Sequence, residues 1–280
     1  MFRRVCVIFG GICLLAARDP TTAPLLLRPT SNWTLDYGYN QCTALRTYGE
    51  GQTQVTFGVI QAPAGDTYQL LIGRKRGHSD FPEELQGTVN FGSGPAAVWL
   101  LRYANSMSGE TIEKFRITAS QMAEARTART VTFHIQGRQD LSFVLADMAA
   151  LLAGMDKCSA DLRNFWNMGE KSSLIAIPAK GSVRAIFTDG DYPKLAYLRA
   201  QEGTAQYLLL IDEKGTVAGC DLIRATGVPI LDLMGCAAFQ KRAKFRPAQD
   251  SAGKRVRSSL VTPPITWRMA DPNAGPTIIK

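Results

Sequence analysis

From Tyr192 to Trp267 the chain carries an ordered series of turn, strand and helix signals that leaves few folds open to it. Tyr192-Pro193 sets an extended entry, because proline keeps the residue before it out of the helical region. Lys194 to Glu202 is rich in helix formers and stops at Gly203. Ala205, Tyr207, Leu209 and Ile211 then alternate along one face of a strand. Asp212-Glu213-Lys214-Gly215 supplies a hairpin turn with glycine where a positive φ is needed, and Val217 to Arg224 returns as a second strand. Leu231 to Phe245 reads as a helix with Lys241, Arg242 and Lys244 in its last turn, where cations suit the helix dipole. Arg255 to Trp267 reads as a third strand. The expectation is an α+β unit over residues 188–270, an antiparallel three-stranded sheet with two helices.

The punctuation along this stretch is Tyr192-Pro193, Gly203, Asp212-Glu213-Lys214-Gly215, Ala225-Thr226-Gly227, Leu231-Asp232, Phe245-Arg246-Pro247-Ala248 and Gly253. In order and spacing it resembles the C-terminal domain of the TonB family. The resemblance implies a domain that binds other envelope proteins, outer-membrane TonB-dependent receptors among them, and that is not an enzyme. It also implies that the third strand is an edge to which a receptor peptide adds. Here Pro263-Pro264 divides that strand, since proline donates nothing to a ladder. The continuous run before the prolines puts Arg255, Val256, Arg257, Ser259 and Val261 forward as partner-binding residues, with the two arginines favouring an acidic peptide. Trp33-x-x-x-Tyr37 followed by Cys42-x-x-x-Arg46-x-x-Gly49 resembles a region found ahead of TonB-like domains in some exported bacterial proteins.

Met1-Phe2-Arg3-Arg4 precedes a nearly unbroken apolar run, Val5 to Ala17. A basic start and a run below the ~20 residues of a membrane span read as a secretory signal over residues 1–17. Export to the periplasm follows, with inner-membrane anchoring as the alternative if the segment is retained. Beyond the signal lie Cys42, Cys158, Cys220 and Cys236. An even count in an exported chain points to disulfides, with three pairings open. Cys220 on the second strand and Cys236 on the following helix straddle one connection, and a strand packed on a helix brings such β-carbons within bridging range. Cys42 and Cys158 then pair by elimination. Metal ligation and redox chemistry are the competing readings, but the chain has no Cys-x-x-Cys and only two histidines.

Residues 30–166 read as a β-rich domain closed by a helix. Strand signals occur at Trp33–Tyr39, Gln54–Ile60, Thr67–Ile72, Thr88–Phe91, Ala97–Leu101 and Thr130–Ile135. Leu141 to Leu152 reads as a helix, with a second piece from Cys158 to Trp166. Residues 167–187 read as a linker, too short and too poor in proline to act as the long extended spacer of a TonB transducer.

No constellation for catalysis emerges from the sequence. His78 has Ser79 and Asp80 beside it, but sequence neighbours rarely form a triad. His134 falls in a strand, and no glycine-rich loop joins a strand to a helix with phosphate-binding spacing. No cofactor or metal is expected. Lys and Arg number 32 against 24 acids, and from residue 180 onward 15 basic residues face 9 acidic ones. With Arg3 and Arg4 of the signal set aside, the excess belongs to the C-terminal unit, with Lys241, Arg242, Lys244 and Arg246 as a basic patch. An exported chain with no nucleic-acid motif turns that charge toward anionic envelope surfaces, or simply toward solubility, and away from nucleic acid. The expected function is a periplasmic TonB-like interaction protein, extending to energy-coupled transport. The alternative is an envelope scaffold with the same fold and no energy transduction.

Overall fold

The computed structural model describes residues 23–64, 67–75, 82–105, 108–183, 185–271 and 275–279. The signal read over residues 1–17 and the His78 loop lie outside them. Ten strands form the first sheet: β1 (Leu25–Leu27), β2 (Thr34–Tyr37), β3 (Cys42–Tyr48), β4 (Val55–Gln61), β5 (Thr67–Arg74), β6 (Glu83–Asn90), β7 (Ala96–Asn105), β8 (Glu110–Thr118), β9 (Thr130–Ile135) and β10 (Leu141–Val144). Their spatial order is β1-β10-β9-β6-β7-β8-β5-β4-β3-β2. One short segment meets both ends of this sheet. Leu25–Leu27 runs parallel to Leu141–Phe143, the Thr30 amide donates to the Thr47 carbonyl, and β2 pairs with β3. The sheet thus curls on itself like a barrel, which leaves little free edge.

Alternation fills the interior. Val55, Phe57 and Val59 of β4 face inward with Leu70 and Ile72, Phe115 and Ile117, Phe133 and Ile135, and Leu141 and Phe143. Aromatic rings meet at its centre, Phe57 on Phe143 at 4.9 Å and Phe115 on Phe133 at 4.8 Å between centroids. Helix α1 (Ala119–Ala125) starts with a Thr118–Gln121 capping box. Helix α2 (Met148–Phe165) lays Met148, Leu151, Leu152, Met155, Cys158 and Leu162 against the core as one helical stripe, and Cys42–Cys158 bonds it to β3.

The apolar run at Leu141–Leu152, expected to be one helix, is divided. Leu141 and Phe143 take up strand alternation beside β9, and Asp147 sits at φ 62°, in the left-handed region that separates β10 from α2. The piece at Cys158–Trp166 belongs to the same α2.

The C-terminal unit holds α3 (Lys194–Leu198), β11 (Gly203–Ile211), β12 (Val217–Arg224), α4 (Pro229–Arg242), β13 (Ala248–Gln249), β14 (Arg255–Val256), β15 (Ser258–Val261), β16 (Ile265–Asp271) and β17 (Gly275–Ile279). The molecule is α+β throughout, but three expectations for this unit change. Helix α3 stops at Leu198 because Ala200 turns left-handed at φ 49°. Gly203 opens β11, where a β-carbon would lie 2.6 Å from that of Thr226; the glycine permits close approach and caps no helix. The third strand is split into β15 and β16, both bonded to β11, and β17 joins the far side of β16 to give five strands in place of three.

Residues read as linker fold back onto this unit. Ala179, Ile186 and Phe187 enter its core, and the Lys180 amide bonds to the Arg246 carbonyl.

Candidate interaction surface

Several residues of the ordered series hold the C-terminal unit together. The Tyr192 hydroxyl donates to the Gln201 carbonyl at 2.6 Å, locking the entry turn over α3. Asp232 accepts from both the amide and the hydroxyl of Thr226 at 2.8 Å, which fixes the β12–α4 connection. Burial pushes the Asp232 carboxyl above the usual carboxylate range, the Thr226 bonds and the Arg116 charge pull it back only in part, and the nearby Glu84 carboxylate adds to the rise. Gly235 lets α4 lie on β11, because a β-carbon there would sit 2.0 Å from the Tyr207 hydroxyl. Cys220–Cys236 ties the same helix to β12.

Both faces of β11 are covered. Phe239, Leu231 and Trp267 pack on the helix side. On the other side Leu208 and Leu210 meet Trp166, at the end of α2, with Ala64 and Met168 of the preceding region. The Trp166 indole donates to the Tyr39 carbonyl at 3.0 Å, so the ring is pinned from the barrel side. Glu84, on β6, accepts from the Ile230 amide at the start of α4 at 2.7 Å and lies 3.7 Å from Arg199. A carboxylate at a helix N-terminus is favourable, and here it joins the barrel to the C-terminal unit. A cleft of about 30 Å³ remains between them, lined by Asn40, Gln41, Pro63, Gln69, Cys220 and Asp221, with room for little more than water.

Strand edges decide what else the sheet can bind. The outer edge of β12 is occupied by the barrel: Asn40 donates to the Ala218 carbonyl at 3.0 Å and Arg116 to the Leu222 carbonyl at 3.4 Å. The outer edge of β16 is taken by β17, whose own outer side has no strand partner among the described residues. Among the described residues β15 pairs on one side only, with β11. The Thr262 amide donates to the Tyr207 carbonyl. Counting back by twos, Leu260 and Ser258 face β11, so Ser259 and Val261 turn their N–H and C=O groups outward. Val261 is half exposed.

The five partner-binding residues expected from sequence therefore separate. Ser259 and Val261 lie on the open edge. Arg255 and Val256 pair instead with Gln249 and Ala248 in a two-stranded ribbon. Arg257 stands between the two strands, its guanidinium 3.7 Å from the centre of the Phe165 ring and 3.4 Å from Glu213. The basic patch divides similarly. Lys241, Lys244 and Arg246 are exposed at and beyond the end of α4. Arg242 is anchored, donating to the Ile186 carbonyl and to Asp191. Burial raises the Asp191 carboxyl, but its bonds from Thr188 and Arg242 outweigh that and hold it below the ordinary range.

His134 bonds to Asp140 at the surface, and no group of three or more metal-binding side chains gathers among the described residues. No helix among them is long and apolar enough to cross a membrane. Sequence reading missed Trp166 and Glu84, which join the two regions. The one signal was the unbroken apolar run Tyr207 to Ile211, which marks a strand covered on both faces.

Residues 189–269 match the family model of the Gram-negative bacterial TonB protein C-terminal. The match leaves the barrel outside it. No curated protein and no solved structure matches the chain.

Proposed function

Because residues 189–269 form a TonB C-terminal domain, we propose that the chain is a periplasmic interaction protein that pairs with other envelope proteins, outer-membrane receptors among them. The open edge of β15 carries this reading. A peptide laid beside Ser259 and Val261 would find outward donors and acceptors in strand register, while both faces of β11 and the outer edge of β12 are occupied by the rest of the chain. The edge is four residues long, so affinity must draw on neighbouring side chains as well. The test is a photo-crosslinking amino acid at Val261 in cells. The expected product joins the chain to an envelope protein carrying an extended segment; absence of any such product, with crosslinks at Lys241 instead, overturns the edge as the site.

One observation favours an accessory role over energy transduction. Ile175, Ala179, Val183, Ile186 and Phe187 lie on the C-terminal core instead of forming an extended spacer. Collapse of the proton-motive force should then leave the Val261 crosslink unchanged, whereas a transducer would lose it.

A further inference from the structure

The barrel interior is apolar along most of its length but ends in charge where β5 leads toward β6 and β7 toward β8. Leu85, Leu100, Phe115 and Leu70 are cross-strand neighbours. The next row on the same face reads Glu83, Arg102, Glu113 and Ile72, with Arg74 one step further along β5. Arg74 reaches Glu113 at 3.3 Å, Arg138 of the β9–β10 turn reaches it at 3.2 Å, and Arg102 reaches Glu83 at 3.1 Å. Three guanidiniums thus meet two carboxylates. Their exposure is unequal. The Glu113 side chain is 1% exposed, whereas Arg74, Arg102 and Arg138 are 25%, 17% and 27% exposed. The cations stand between the sealed carboxylate and solvent.

A salt-bridge lid over the core would need no more than charge balance. Among the described residues this cluster exceeds it by one cation, and it leaves the buried Nε atoms of Arg74 and Arg102, along with one oxygen of Glu113, without a hydrogen-bond partner. An unmet guanidinium donor is costly to bury. Burial, with the Arg102 and Arg74 charges, lowers the Arg138 pKa against the pull of Glu113, which agrees with crowded cations. One planar carboxylate is satisfied by a single arginine fork, whereas guanidiniums converging from two strands and a turn suit a group with three oxygens.

We propose that this end of the barrel binds a phosphoryl group, free or as a phosphate monoester, held by Arg74, Arg102 and Arg138 above the buried Glu113. The site is independent of strand addition at β15. The probe is inorganic phosphate, titrated calorimetrically into the disulfide-bonded full chain at constant ionic strength, with acetate as the control anion. Saturable one-to-one binding is expected, weaker by about tenfold or more in Arg138→Gln and in Arg102→Gln, as loss of a charge-assisted bond implies. Lys244→Gln, in the exposed basic patch, should bind as the parent does. Circular dichroism checks that each variant is folded. Should Arg138→Gln unfold, Arg138→Lys keeps the charge without the fork and should still bind several-fold more weakly. No saturable heat at millimolar phosphate, equal binding by acetate, or unchanged affinity in the folded Arg138 variant overturns the proposal.

Discussion

The barrel and the C-terminal unit solve the problem of burying a sheet in different ways. The barrel curls, so one face encloses its own core, and the segment from Leu25 to Tyr37 brings its two ends together. The C-terminal unit has a five-stranded sheet with α4 on one side. Its second face is apolar at Leu208 and Leu210 and is covered by Trp166 of the barrel region. Curling supplies a complete core, whereas a sheet with one helix layer needs a neighbour. In this chain the neighbour is covalently attached, and it also satisfies two carbonyls on the β12 edge. The smaller unit is thus the dependent one, and among the described residues its β15 keeps one side without a strand partner.

If that asymmetry is right, damage to the barrel should weaken both units, and damage to the C-terminal unit only one. The two disulfides give the strongest contrast. Cys42–Cys158 closes a span of 116 residues and Cys220–Cys236 one of 16. On the chain-entropy argument their removal costs about 4–5 and about 3 kcal/mol respectively. Guanidinium unfolding of Cys42→Ser/Cys158→Ser, followed by amide exchange in both units, should show protection falling at Leu209 as well as at Phe57. Cys220→Ser/Cys236→Ser should lower protection at Leu209 alone. A C-terminal unit that keeps its full stability when the barrel opens would end the idea of dependence.

Trp166→Ala attacks the joint itself. The indole is fully buried, and truncating such a ring costs about 3–5 kcal/mol. Both folds should survive, because Trp166 packs on Leu208 and Leu210, outside the principal cores of either unit. Calorimetry is therefore expected to resolve one transition into two. A single transition at lower temperature would mean that the contacts of Glu84, Asn40 and Arg116 suffice to couple the regions.

How far the sequence reveals this arrangement depends on how far local chemistry decides it. The C-terminal strands and α4 were legible because turns, caps and alternation agree there, and α+β follows from that pattern. In the barrel, β9 was readable as Thr130–Ile135, bounded by Gly137. Strands β3 and β8 were not, because Arg46 and Glu113 interrupt the inward row of each, and the reasons for those charges are tertiary. Arg46 reaches the Ser31 and Ala146 carbonyls, and Glu113 lies among arginines. The open edge was legible only as a run ending at two prolines. That Arg255 and Val256 leave it for β13 depends on a pairing that no local signal announces. The curl of the large sheet is likewise non-local, since one segment must find β10 and β3 together.

Ser259→Pro separates binding from folding at the dependent unit. Its amide points away from β11, so the ladder loses nothing and stability should change by less than about 1 kcal/mol. Binding through the edge should be lost, as measured by the yield of the Val261 crosslink or by affinity for the crosslinked partner. A folded Ser259→Pro chain that binds normally would move the site to Lys241, Lys244 and Arg246, where added salt should weaken binding more steeply.

The smallest expected effect, and of opposite sign, lies at Asp232, where the barrel reaches into the electrostatics of its neighbour. Two carboxyls of the C-terminal unit are shifted in opposite directions. Asp191 is held low, so its contribution to stability is present above the unfolded value near ~3.9 and is lost as pH falls through its lower folded value. Asp232 is raised, first by burial and further by the Glu84 carboxylate. Its folded form binds the proton more tightly than the unfolded one, so its contribution is present below ~3.9 and is lost as pH rises through the higher folded value. At neutral pH the ionised Asp232 thus works against the fold. Asp232→Asn keeps an oxygen that can accept from the Thr226 amide and hydroxyl while removing the charge. It should stabilise the protein by less than about 1 kcal/mol at pH 7, and by nothing at pH 3, where both side chains are neutral. In a Glu84→Gln background the gain at pH 7 should shrink, because one source of the shift is gone. The measurement is a double-mutant cycle of urea midpoints at the two pH values. Equal gains with and without Glu84 would show that this carboxylate of the barrel covers its neighbour without acting on its charge.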